Sequence, residues 1–325
     1  MPLTSLELCA GAGGQALGLE QAGFRHAALV EIDEHACRTL RANLPRTRVI
    51  RADLLQQFDA SAYAGVDLLA GGLPCPPFSV AGKQLGAADE RNLFPAALDI
   101  IAQVKPRAVM FENVRGLLDP KFEAYRSFIT GGLGKLGFVT DFRLLQASDF
   151  GVPQLRPRVI FVALRKRYAD KFEWPTARKK PKTVGKTLQD LMEANGWDAD
   201  DWVKLANQIA PTVVGGSKKH GGPDLGPTRA KKAWAALGVD GMGIANEAPC
   251  ADFEGMPRLT VRMVARLQGF PDDWEFVGRK THTYRQVGNA FPPPVARAVG
   301  LKIKQALGAR REKAPELFEW SRLPA

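Results

Sequence analysis

The residues best suited to chemistry lie in three short stretches. Gly71-Gly72-Leu73-Pro74-Cys75-Pro76-Pro77-Phe78-Ser79 sets a cysteine between prolines. Proline fixes its own φ and biases the residue before it toward extended backbone, so Cys75 is expected in a stiff, extended loop. A thiol held there can act as a nucleophile once ionised. An isolated cysteine is more often a small buried apolar residue, and the proline setting is what favours the reactive reading. Phe111-Glu112-Asn113-Val114 puts a carboxylate at the end of an apolar run. Such an acid is ordinarily a solvated side chain or a helix cap. Gln154-Leu155-Arg156-Pro157-Arg158 alternates, so in extended chain Gln154, Arg156 and Arg158 share one side. That pattern also suits a solvated edge strand, but the apolar run at 159–163 predicts a buried strand with Arg158 at its mouth.

These residues need a sheet edge to bring them together. Residues 66–70 read as a short buried strand leading into the cysteine loop. A strand running into such a turn places Cys75 at the carboxyl edge of a sheet, where open α/β folds bind ligands. Residues 3–10 form a first strand, Gly11-Ala12-Gly13-Gly14 a turn, and 16–23 a helix. A second strand at 27–32 ends in Glu31-Ile32-Asp33, a helix runs through 37–40, and a third strand at 49–53 ends in Asp53. Further along, a helix opened by Asp89-Glu90-Arg91-Asn92 runs through 101, a strand spans 107–111, and a helix spans 125–136. Glu112 follows a strand and so faces the same edge as Cys75. The alternation of strand and helix is that of an α/β fold.

Gly11-x-Gly13-x-x-Ala16 with Glu31 fits a dinucleotide fingerprint, so a dehydrogenase is one reading. S-adenosylmethionine is another, with Glu31 on the ribose and Asp53 on the adenine amino group. The residues of this half alone leave both open.

With 325 residues the chain is long enough for two domains with real cores. The net charge of +11 suits a polyanionic partner without requiring one. Cys9, Cys37, Cys75 and Cys250 form no Cys-x-x-Cys pair, so neither a zinc site nor a disulfide framework is indicated. Reduced thiols point to the cytoplasm. No leader pattern and no apolar run of membrane length is present, so no membrane is expected.

Taken together, the stretches resemble the DNA cytosine-5 methyltransferases, in their bacterial restriction-modification form. The matching residues are Leu6-Glu7-Leu8-Cys9-Ala10-Gly11-Ala12-Gly13-Gly14, Pro74-Cys75-Pro76-Pro77-Phe78-Ser79, Phe111-Glu112-Asn113-Val114 and Gln154-Leu155-Arg156-Pro157-Arg158. Arg258-Leu259-Thr260-Val261-Arg262, Leu267-Gln268-Gly269-Phe270-Pro271 and Gln286-Val287-Gly288-Asn289-Ala290-Phe291-Pro292 continue the series in the family's order. Glu7 and Cys9 stand where the family commonly carries Asp and Phe, and Met263 where an acid is common.

The resemblance implies a Rossmann-like, S-adenosylmethionine-dependent methyltransferase fold with a second, smaller target-recognition domain. Residues 1–170 would begin the catalytic domain, 171–275 would recognise the target, and 276–325 would return to complete the first. It implies Cys75, Glu112, Arg156 and Arg158 as catalytic. It places Cys9, Ala10, Gly11, Gly13, Gly14, Glu31, Ile32, Asp53, Leu54, Pro74, Asn289 and Ala290 at the cofactor, whose product is S-adenosylhomocysteine, with no metal. Ser79, Gln154, Arg156, Ser217, Lys218, Lys219, His220 and Arg229 are expected on double-stranded DNA. Glycines on both sides of Ser217-Lys218-Lys219-His220 suit close approach to a groove. The stretch 80–91, with Gly82 and Gly86, is expected to close over a flipped base.

A monomer is expected, along with a restriction endonuclease acting on the same site without a stable complex. An RNA methyltransferase of the same fold is the alternative, but that branch carries Cys-Phe-Thr and a small recognition region. A non-catalytic relative would lack the thiol or the carboxylate. A dehydrogenase leaves the cysteine loop, Glu112 and 154–158 without a role.

Overall fold

A computed structural model of the chain describes residues 2–56, 58–74, 92–177, 180–216 and 222–308. Cys75, Ser79, Ser217, Lys218, Lys219, His220 and the stretch 80–91 lie outside the described residues.

Seven strands form one sheet in the order β3-β2-β1-β4-β5-β7-β6. They are β1 (Leu3–Leu8), β2 (Phe24–Glu31), β3 (Val49–Arg51), β4 (Leu68–Gly71), β5 (Ala108–Val114), β6 (Phe138–Gln146) and β7 (Pro157–Arg165). The first five run parallel, while β7 is antiparallel to both β5 and β6. Strands β1 and β4 are buried almost throughout because helices cover both faces of the sheet there, the usual condition of parallel strands. The edge strand β6 instead alternates between cover and solvent.

Helices α1 (Gly14–Gln21) and α2 (Glu34–Asn43) follow β1 and β2. Helices α3 (Phe94–Val104) and α4 (Glu123–Lys135) flank β5 in sequence. Their apolar sides, Ile101 and Ile129 among them, pack on one face of the sheet with Leu6, Leu69 and Phe111. A short α5 (Lys166–Ala169) follows β7. The middle carries α6 (Val184–Met192), α7 (Asp200–Leu205), α8 (Thr228–Ala235) and α9 (Val261–Leu267), and then come α10 (Lys280–Asn289) and α11 (Pro293–Ala306).

Helix α11 lies on α1, across the other face of the sheet. The contact is close because Gly18 has no side chain: a Cβ there would stand 2.4 Å from the Pro293 carbonyl oxygen. Buried residues of the middle, Trp234 and Leu188 among them, share one cluster with Ala16, Leu29 and Leu40. The core thus runs without a break from the sheet's β2 side into the middle region.

Two helix starts explain local sequence choices. Asp33 caps α2 by accepting from the His35 and Ala36 amides, which satisfies donors that have no partner inside the helix. Thr260 caps α9, and the Met263 sulfur accepts from the Thr260 amide at 3.3 Å. The thioether does what an acid at that place would do in a capping box.

Candidate active site

Four strand ends supply one edge. β1 stops at Leu8, and Cys9 turns the chain in a left-handed conformation, φ 52°, that L residues rarely adopt. Gly11 repeats the left-handed turn at φ 54°, and an added Cβ would meet nothing within 4 Å. Its amide points at Glu31, donating to Oε2 at 2.7 Å. Oε1 of Glu31 accepts from the Ile32 and Asp33 amides. Burial raises the Glu31 carboxyl above its ordinary range, and these amides oppose the rise.

Asp53 follows β3 beside it and closes a local turn onto the Leu55 amide. Ile32 and Leu55 are about half exposed, at 55% and 49%, whereas Leu54 is buried in the core. The exposed apolar side chain after Asp53 is therefore Leu55.

A Cβ at Gly13 would stand 2.8 Å from the Trp274 ring, and one at Gly14 would stand 2.2 Å from the Phe291 carbonyl oxygen. The space that these two glycines leave is filled by later parts of the chain. Only Gly11 of the three leaves open space. Trp274 also donates its Nε1 to the Ala12 carbonyl at 3.2 Å, a partner that nothing in the linear sequence marks.

On the neighbouring strands, Glu112 and Arg158 form an ion pair, Nε to Oε1 at 2.6 Å, with each side chain only 13% exposed. The register makes it. Val114 stands opposite Arg158, and Glu112 is two residues back on the same face. Because β7 runs antiparallel, its amino end lies at the carboxyl edge of the parallel strands. Burial raises the Glu112 carboxyl above its ordinary value, and Arg158 and then Arg156 pull it back down. A carboxyl so placed can exist neutral and donate a hydrogen bond.

The approach to Cys75 is held by the same strand. Gly72 lies against Glu112, whose Oε2 would be 3.4 Å from an added Cβ. The Asn113 amide donates to the Leu73 carbonyl at 3.0 Å. Asn113 thereby fixes the chain two residues before the thiol. Pro74 is exposed at the end of that segment.

The three thiols that are described are poor nucleophiles. Burial pushes Cys9 up, reinforced by Glu31, Glu7 and Asp53, and pushes Cys37 up to about 11. Cys250 is raised by its hydrogen bond to Asp252. None of the three has the lowered pKa that a catalytic thiol needs.

Gln154 and Arg156 do not reach the surface. Gln154 is fully buried and Arg156 is 1% exposed. Gln154 donates to the Leu267 carbonyl and to the Gln268 side chain, and accepts from the Val213 amide. Arg156 donates to the main-chain carbonyls of Val213, Gly288 and Ala290. The side they face is covered by the main chain at Val213, Leu267, Gly288 and Ala290, 57 to 134 residues along the chain. Asn289 is exposed and donates to the Gly216 carbonyl at 3.2 Å, while Ala290 is buried beside it. Arg229 is exposed on α8.

A family model described as C-5 cytosine-specific DNA methylase matches residues 3–305. The chain is 56% identical over 316 residues to the Type II methyltransferase M.NaeI of Lentzea aerocolonigenes, covering 95% of this chain and 76% of that one. It is equally similar, 56% over 312 residues, to M.NgoMIV of Neisseria gonorrhoeae, covering 94% and 99%. Among solved structures, S. pombe Dnmt2 methyltransferase superposes with a TM-score of 0.66 at 18% identity, covering 94% of this chain and 99% of that one, a likeness of fold.

Proposed function

The chain belongs to the C-5 cytosine-specific DNA methylase family, and we propose that it methylates carbon 5 of a cytosine in a specific duplex sequence through a covalent adduct of Cys75. The observation that carries the mechanism is the buried Glu112–Arg158 pair, set where Glu112 and Asn113 hold the chain leading to Cys75.

Carbon 5 of cytosine is a weak nucleophile. Addition of the Cys75 thiolate at carbon 6 makes the ring an enamine and activates carbon 5. Negative charge then develops on the ring. Glu112, neutral or sharing a proton, donates toward ring nitrogen 3, and Arg158 holds the carbonyl oxygen while orienting Glu112. These atoms are stacked inside a duplex, so the base must leave the helix.

The open edge fits S-adenosylmethionine. Gly11 leaves unfilled space, Glu31 and Asp53 present carboxylates at adjacent strand ends, and Ile32 and Leu55 offer apolar cover. When bound, that cofactor supplies an electrophilic methyl group. Glu31 would hold the ribose, Asp53 the adenine amino group, and Asn289 the far side. Residues 171–275, with 217–220 and Arg229, are read as the part that faces DNA. Since relatives at 56% identity are named Type II methyltransferases, a restriction endonuclease of the same specificity is the proposed companion.

The test is a mechanistic trap. Duplex DNA carrying 5-fluorocytosine at the target should form a covalent complex that depends on the cofactor and maps to Cys75. Hydrogen on carbon 5 leaves as a proton and frees the enzyme; fluorine cannot leave that way, so the thioether bond persists. The adduct should vanish in Cys75→Ser and should not form on matched RNA. Failure on a verified target site with cofactor bound would overturn the covalent mechanism, and capture of RNA alone would replace the DNA substrate.

A further inference from the structure

Arg156 is a charged group in a place where charge is costly. Its guanidinium is 1% exposed, and burial and the nearby charge of Arg158 drive its pKa well below the ordinary value. Among the described residues its Nε has no hydrogen-bond partner. Removing an ion from water costs several kcal/mol, and an apolar side chain of similar volume commonly fills such a site at no loss of stability. What an apolar residue could not do is join separate main-chain segments. Arg156 joins two. Its Nη1 binds the Val213 carbonyl at 2.8 Å, and its Nη2 binds the Gly288 and Ala290 carbonyls at 2.9 and 3.0 Å.

The same two segments touch at four other points. A Cβ on Gly288 would stand 2.4 Å from the Gly215 Cα, so only glycine permits the approach. Asn289 donates to the Gly216 carbonyl. Tyr284, from α10, donates its hydroxyl to the Val214 carbonyl at 3.1 Å. Gln154 accepts from the Val213 amide, and its partner Gln268 donates to the Val287 carbonyl at 2.8 Å. Residues 213–216 and 287–290 are thus tied to each other.

We propose that Gln154 and Arg156 are positioning residues that couple the cofactor edge at Asn289–Ala290 to the DNA-facing residues 213–216. The proposal rests on the reading above that these two segments face cofactor and DNA. Ligand contact at Asn289 fixes 213–216 through the carbonyls that Arg156 holds, so the cost of ordering the DNA-facing segment is met before DNA arrives. By reciprocity, DNA must tighten cofactor binding by the same factor.

The experiment measures that factor. The affinity of target duplex is determined by fluorescence anisotropy with and without S-adenosylhomocysteine, and the affinity of S-adenosylhomocysteine by calorimetry with and without duplex. Wild-type protein should show coupling of about tenfold, within the range common for linked sites. Tyr284→Phe removes one hydroxyl between the segments, touches neither ligand, and keeps the ring that packs in the core. It should reduce the coupling to about threefold or less while S-adenosylhomocysteine alone binds within about twofold of wild type. Arg156→Lys, which keeps the charge and loses the forked donors, should abolish the coupling. Full coupling in Tyr284→Phe would overturn the proposal, as would wild-type protein that binds both ligands with no coupling. Wild-type protein that binds no duplex at all would instead remove the functional reading and take this proposal with it.

Discussion

In the parallel part of the sheet, the residues proposed for the site stand just past the carboxyl ends of strands: Cys9 after β1, Ile32 after β2, Asp53 after β3, Pro74 after β4. In the antiparallel end, Arg158 stands at an amino end, one residue into β7. The two arrangements reach one edge by opposite means. Repeated strand–helix units bring each carboxyl end to the same side without further specification. The β6–β7 hairpin must reverse the chain, and the pairing must be in register for Arg158 to meet Glu112. A slip of one residue would turn Arg158 to the other face. The antiparallel end depends on one register.

The most damaging test of this view is a double-mutant cycle across the β5–β7 boundary. Glu112→Gln and Arg158→Ala should each lower single-turnover methylation by about 100- to 1,000-fold. The double variant should be about as slow as the worse single one, because the two side chains act as a unit. Multiplied losses would show that the two ends of the sheet contribute separately.

A smaller effect separates two glycines of the same turn. Gly14→Ala forces a methyl into the Phe291 carbonyl and should cost about 2–3 kcal/mol, read from the denaturation midpoint. Gly11→Ala meets open space and should cost only about 1 kcal/mol, from its left-handed backbone. Its larger consequence should be in calorimetric cofactor affinity. Equal stability losses would mean that the turn is a packing device throughout.

The parallel part also carries a pH liability. His26 on β2 is buried, and its two ring nitrogens contact the Ser5 hydroxyl and the Ala16 carbonyl. Burial lowers its pKa from 6.5 to about 4. The unfolded chain therefore takes up a proton at a pH where the folded chain does not. Stability from this group is full above pH 6.5 and declines as pH falls toward 4, by up to ~3 kcal/mol. His26→Gln should flatten that part of the stability–pH curve, measured by urea unfolding from pH 7 to 4. An unchanged curve would place the loss elsewhere.

Most strand ends were legible because buried parallel strands are short apolar runs bounded by turn residues. Glu31, Asp53 and Glu112 stand at or near strand ends, where the pattern put them. Arg158 was legible because the apolar run after it had to be a strand. What the sequence did not show for Gln154 and Arg156 is their cover: alternation tells which residues share a side, and what lies over that side is decided by chain 57 to 134 residues away. The same limit holds at Gly13, Gly14 and Leu54. Glycine allows close approach without naming what approaches, and of two adjacent leucines only packing decides which faces out. Met263 looked like a lost acid, yet its sulfur fills the acid's place in the cap.

The seat of α11 on α1 has a consequence for how the protein is born. The two helices are neighbours in space but are separated by about 270 positions in the chain. At about 5–20 residues per second, a ribosome finishes α1 roughly 15 to 60 s before α11 exists. Throughout that interval the α1 side of the central strands lacks its cover, and Gly14 and Gly18 face water where they will later face Phe291 and Pro293. Closure of so long a loop is slow. The nascent chain is expected to lean on chaperones until α11 has been made and can cover α1.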